Sequence, residues 1–142
     1  MDPKPTDNIE EQKDRVNKTE KLKKQAINAK NEALRALKKV NKAKYTKEKK
    51  LPAKKVVREA KDSNEAAEEA KNTSNEANEA AENSNDADSN EMQELANEAI
   101  EAADTAGEAA NIATKAADSA KRKAELTPEE EALALEGDPD TW

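Results

Sequence analysis

The chain has 142 residues, 40% of them charged, with a net charge of −7. It contains no cysteine and no histidine, which excludes disulfides and thiol chemistry, and removes the commonest metal ligand and the usual general base at neutral pH. Tyr45, Trp142 and 17 large aliphatics beyond the initiator are too few for an ordinary globular core, whereas 28 alanines alongside Lys, Glu, Gln and Arg favour long helices.

Residues 1–7, with Pro3 and Pro5, read as a flexible tail. A helical pattern follows from Asn8, with Asp7 placed as N-cap and Glu10 three residues on to close a capping box. Its seam is Leu22, Ala26, Ala29, Ala33, Ala36, Val40 and Ala43, in alternating steps of four and three. That 3.5-residue period keeps one stripe facing a partner. Ile27, Leu34 and Leu37 lie beside it and suggest a second neighbouring helix.

Pro52 in "KEKKLPAKK" cannot donate an interior helical bond and biases Leu51 toward extended backbone. A turn is therefore expected at residues 49–52. The next seam is Ala53, Val56, Ala60, Ser63, Ala67, Ala70, Ser74, Ala77 and Ala81. It breaks at residues 83–90, where Asn, Ser and Asp compete with helix for nearby backbone groups. A third seam then runs Met92, Ala96, Ala99, Ala103, Ala106, Ala110, Ala113, Ala117, Ala120, Ala124, flanked by Leu95, Ala102, Ala109 and Ala116. Residues 127–142 hold a short helix and tail: Thr127 as N-cap, Pro128 in the first turn, Glu130 closing the box and Gly137 at the end.

The fold class expected is all-α: an elongated antiparallel bundle of three long helices, residues 8–126, plus a short C-terminal helix. Helices of about 30–40 residues would span about 45–60 Å at 1.5 Å per residue. Residues 1–50 carry a net +8 and residues 51–142 a net −15, so folding the first helix back onto the later ones brings opposite charges together.

No catalytic, cofactor-binding or metal-ligating residue is expected, and the residue types point away from an enzyme. Glu68–Glu69 and the run Glu129, Glu130, Glu131 read as solvated helix faces, because catalytic pairs need a partly buried cleft to separate their pKa values. The loop "NDADSN" lacks the glycine and the terminal glutamate of a calcium loop. Ser63 and Ser74 read as small packing residues. The candidate anion-binding tract is Lys38, Lys39, Lys42, Lys44, Lys47, Lys49, Lys50, Lys54 and Lys55, nine lysines against the single Glu48. Without arginine or interleaved aromatics it offers charge to glycan, lipid or nucleic acid, but no specific nucleic-acid readout. Asn17 and Asn72 begin N-glycosylation sequons, which matter only in a secreted protein.

The alanine-heptad stretch "NEAAEEAKNTSNEANEAAENSNDADSNEMQELANEAIEAADTAGEAANIATKAADSAKRKAE", with the lysine-rich helix before it, resembles the alanine-rich helical surface antigens of trypanosomatid parasites, of the TolT type. The resemblance spans residues 25–125 and lies in composition and period. It implies a surface-displayed rod on the cell or flagellum, met by host proteins or antibodies. It also implies a removed signal peptide and a lipid anchor, neither of which this chain carries. The alternatives are an anion-binding adaptor using residues 38–55 and a flexible stress-protection chain of the desiccation type. Self-association is a further expected contact, since pairing bundles would bury more seam. No apolar run approaches the ~20 residues of a membrane span, and "MDPKPTDNIE" lacks the apolar region of a secretory signal. If the resemblance does not hold, a cytoplasmic protein is expected.

Overall fold

The computed structural model describes residues 5–84 and 88–142. Helix α1 spans Pro5–Lys42, α2 Thr46–Glu82, α3 Ser89–Ala124 and α4 Pro128–Glu136, followed by a single 3-10 turn at Pro139–Thr141. At 38, 37 and 36 residues the three long helices are closely matched, each about 55 Å long. Their directions follow from the side chains that join them. Gln12 meets Ala77, Ser63 meets Ala26, and Lys55 meets Glu32, so α1 and α2 run antiparallel. Val56 and Ala60 pack with Ala113 and Ala117 while Ala77 and Ala81 pack with Met92 and Ala96, so α3 is antiparallel to α2, and Lys13 pairs with Glu91 and Lys123 bonds Asn41 where α3 lies parallel to α1. The fold is an all-helical, up-down-up bundle with α4 docked against α2.

The core consists of the seams. Leu22, Ala26, Ala29, Ala33, Ala36 and Val40 are all buried on α1, and every member of the third seam, from Met92 to Ala124, is buried on α3 together with Ala102, Ala109 and Ala116. The α1 seam extends toward the N-terminus through Thr19, Val16 and Gln12. On α2 it is Ala66, with Thr73, that turns fully inward, and Ala67 is half-buried. Each alanine methyl contributes only about 0.8 kcal/mol, so the bundle depends on many of them. Larger side chains concentrate at the two ends. Val40, Val56 and Val57, with Leu34, Leu37, Leu126 and Leu135 against them, fill the end where α1 meets α2; Val16, Met92, Ile9 and Leu95 fill the other. The middle level is almost wholly alanine.

Two boundaries differ from the sequence reading. Helix α1 is described from Pro5, so Asp7 lies inside it rather than capping it, and residues 5–7 of the expected tail are helical. Residues 1–4 lie outside the described residues. The first turn falls at residues 43–45, not at 49–52, and α2 runs straight through Pro52. Pro52 leaves the Glu48 carbonyl without its helical donor. Helix is retained because Ala53, Val56, Val57 and Ala60 are buried against Ala36 and Val40. Leu51 stays helical on the outer side, 58% exposed. The second connection follows Asn83, and its residues 85–87 lie outside the described residues.

The end of α3 closes with the Leu126 N–H donating to the Lys121 carbonyl and the Glu125 N–H to that of Arg122. This Schellman arrangement puts its pivot residue in left-handed backbone, where glycine is usual; here it is Glu125, with φ 52. Helix α4 forms as the sequence reading expects: Thr127 and Glu130 make the reciprocal capping box, and Pro128 occupies the first turn. Gly137 ends it with its Cα so close to the Leu133 carbonyl that an added Cβ would lie 2.6 Å from that oxygen. Gly107, in contrast, has open space where a Cβ would stand.

Two substitutions test these local assignments. Gly107→Ala removes a helix-interior glycine without a clash, and Glu125→Gly relieves left-handed strain. Each is expected to raise stability by about 1 kcal/mol, read as an increased urea midpoint at unchanged slope. A lower midpoint in either variant would contradict the assigned backbone.

Candidate functional site: the basic end of the bundle

The turn at residues 43–45 folds the lysine tract on itself. Lys38, Lys39 and Lys42 occupy the last turns of α1, Lys44 lies in the turn, and Lys47, Lys49, Lys50, Lys54 and Lys55 occupy the first three turns of α2. Lys38, Lys39, Lys42, Lys44 and Lys47 are exposed, and none has an ion-pair partner among the described residues. The C-terminal turn of α3 arrives at the same end with Lys121, Arg122 and Lys123, and Lys123 bonds Asn41 of α1. The sequence reading missed this third contribution. Its signal, "KRK" directly before the α3 cap, is visible only once α3 is known to end beside α1. Cations at the ends of α1 and α3 also complement the negative poles of those helices.

Helix α4 withdraws part of the tract from solvent. Lys50 donates to the Glu130 carboxylate at 2.8 Å, and Lys121 to Glu131 at 3.0 Å. Lys55 lies 3.7 Å from Glu32. From the other side Arg58 donates to the carbonyls of Ala134, Leu135 and Gly137, and Lys61 donates to that of Leu135 at 2.9 Å. These bonds satisfy the carbonyls that the end of α4 leaves without intrahelical partners. The nine lysines therefore divide. Lys50 and Lys55 engage carboxylates within the bundle, and the rest face outward or lie half-buried along α2.

Two carboxyl environments contrast. The hydrogen bond from Lys50, followed by that from the Thr127 backbone N–H, holds Glu130 down at about 2. Burial pushes the Glu59 and Asp62 carboxyls up, with Asp62 adding to the shift of Glu59 and Glu65 to that of Asp62. The bond to Glu131 raises Lys121 above its ordinary value.

Asn17 and Asn72 are both exposed, on α1 and α2. Their sequon hydroxyls are not: Thr19 is fully buried and donates to the Arg15 carbonyl, and Ser74 is buried and donates to that of Lys71. The acidic loop at residues 83–90 includes residues 85–87, outside the described residues. Among the described residues, no group of three His, Cys, Asp or Glu side chains is placed to hold a metal ion. No described helix is long and apolar enough to cross a membrane. Compared with known proteins, the chain matches no family model, no curated protein and no solved structure.

The lowered Glu130 pKa fixes a pH dependence for the docking of α4. A carboxylate depressed in the folded state contributes stability that is present above its unfolded value and lost as pH falls through its folded one. The window therefore runs from about 4.5 down to about 2. Amide exchange in α4 is expected to accelerate across that window relative to the middle of α3, and Glu130→Gln to show fast exchange already at neutral pH. Identical exchange in the variant and the parent chain at neutral pH would contradict the assignment.

Proposed function

We propose that this protein is a non-enzymatic, surface-displayed helical rod, an antigen or interaction module whose outer face is what other molecules meet. The observation that supports this reading is how its buried polar groups are used. Ser63 donates to the Ala26 carbonyl, Gln12 to that of Ala77, and Thr19, Thr73 and Ser74 to carbonyls in their own helices. Each of these donors is spent on helix packing or local backbone, and only the Gln12 Oε1 among these side chains is left without a partner among the described residues. The alanine seams likewise serve length and closeness rather than enclosure of a substrate. The resemblance to trypanosomatid antigens supports a cell or flagellar surface as the location, with host proteins or antibodies as partners. Antibodies raised against the folded bundle are expected to stain unpermeabilised cells of the source organism. Staining only after permeabilisation would overturn surface display.

A second reading is favoured by the convergence of α1, the turn, α2 and the end of α3 at one basic pole. There the exposed Lys38, Lys42, Lys44 and Lys47 adjoin Arg122 and Lys123. Such a pole suits a sulfated or phosphorylated polyanion bound by charge alone. Retention on heparin at ~0.15 M salt, where the screening length is about 8 Å, is expected, with earlier elution when Lys42, Lys44 and Lys47 become glutamate. Passage of the parent chain without retention would sink this reading.

A further inference from the structure

The rod is charged unevenly around its circumference. Two residues beyond each seam position of α1, about 200° around the helix, an outer stripe runs from Lys21 through Lys24, Asn28, Arg35 and Lys38 to Lys42. It holds no carboxylate, and Lys21, Lys24, Lys38 and Lys42 are exposed with no ion-pair partner among the described residues. The carboxylates beside it, Glu20 and Glu32, are already paired with Lys23 and with Arg35 and Lys55. Across the bundle the sign reverses. Residues 62–82 of α2 carry seven carboxylates and one lysine, and residues 89–114 of α3 carry six carboxylates and no cation. A groove of about 910 Å³ lies between these two segments, lined by α2 and α3 alone. Its smallest lining residues are Ala67, Ala103, Gly107 and Ala110, and no atom stands within 4 Å of where a Gly107 Cβ would be. Glu68, Asp104 and Glu108 line it against one cation, Lys71, all four exposed and without ion-pair partners among the described residues.

The same pair of helices already seats a helix toward the basic pole. There α4 is held by Lys61 of α2 and Lys121 of α3, and Ala134 is buried with Val57 and Ala117. One turn beyond Lys61, Asn64 donates to Thr114 across α2 and α3 at 2.8 Å, and past that bridge the groove is open. The seams are buried within the bundle, so a second copy meets this groove and the α1 stripe instead. One is concave and acidic, the other convex and basic. We propose that the groove docks the outer stripe of α1 from a second copy. The methylene stems of Lys21, Lys24 and Lys38 lie over its alanines and glycine, and their ammonium heads reach Glu68, Asp104 and Glu108. A foreign lysine-rich helix would match the charge equally, but this chain carries both halves of the contact. Stripe and groove are different surfaces, so the contact is heterologous and extends into rows of rods or a closed ring. The inference is independent of surface display, and Lys21 and Lys24 lie outside the tract offered to polyanions.

Sedimentation velocity of the full chain, at concentrations up to ~1 mM, tests this. The net charge of −7 repels copies at long range, so salt of ~0.1 M, with a screening length of about 10 Å, suits the contact. The expected result there is a mass that rises with concentration. In ~1 M salt, where the screening length is about 3 Å, the chain is expected to return to monomer. The stripe variant Lys21→Glu, Lys24→Glu, Lys38→Glu and the groove variant Glu68→Lys, Asp104→Lys, Glu108→Lys are each expected to associate at least about tenfold more weakly. Mixing the two restores association, because each stripe then faces a groove of opposite sign. Gly107→Gln, on the open floor of the groove, is expected to weaken association by a similar factor with unchanged circular dichroism, and replaces either triple variant that unfolds. A monomer at every concentration in ~0.1 M salt would overturn the proposal; if that monomer bound an added lysine–alanine peptide, the groove would belong to a foreign helix. Association that persists in ~1 M salt, unchanged association in the folded variants, or no recovery on mixing them would equally overturn it.

Discussion

The bundle depends on how closely its helix backbones approach one another. A serine side chain is short, yet the Ser63 hydroxyl on α2 reaches the Ala26 carbonyl on α1 at 2.9 Å. That is possible only where nothing larger than a methyl group separates the two backbones. Ala26, Ala70 and Ala106, all with no exposed surface, surround this level on the three helices. Small side chains lose little rotamer entropy on burial, so a modest gain per residue accumulates along about 55 Å of helix. The same closeness makes the polar ties specific. Gln12 and Ser63 each address one carbonyl on the facing helix, and a shift in register would leave these buried donors unsatisfied.

Charge and the bundle's ends follow from that frame. Basic α1 lies beside the acidic second half of α2 and acidic α3, with Arg15 facing Glu76, Lys18 facing Glu69 and Lys13 facing Glu91. Exposed pairs of this kind contribute about 0–1 kcal/mol each, so they favour the right neighbour more than they hold it. The end where α1 meets α2 is different. There valines and leucines replace alanine, α4 closes over them, and Arg58 and Lys61 fasten its last carbonyls. One pole of the rod is thereby both its most apolar interior and its most basic exterior.

Much of the frame was legible in the sequence because alanine periodicity is a geometric signal. The third seam could be read residue by residue, since no larger side chain competes for the inward face of α3. The α4 capping box was equally plain, being a local pattern. The first turn was not. Pro52 carries the stronger local signal, but the penalty it imposes is outweighed by burial of Val56, Val57 and Ala60, a tertiary term invisible along the chain. On α2, the choice between Ala66 and Ala67 depended on phase across a helix with two neighbours. The basic pole was half legible: the lysine tract showed, but Arg122 and Lys123 join it only through topology. The α2–α3 groove was not legible at all, because it needs residues from positions 67, 103 and 107 brought together.

Alanine fills these seams for closeness, not for want of a larger residue. The direct measurement is urea unfolding of Ala106→Leu, at a fully buried position in the alanine-rich middle of the rod. Close-packed backbones leave no room for the added carbons, so a loss of about 1–3 kcal/mol is expected. Stabilisation by leucine, as added apolar surface in a loosely packed seam would give, would contradict close backbone packing in the core.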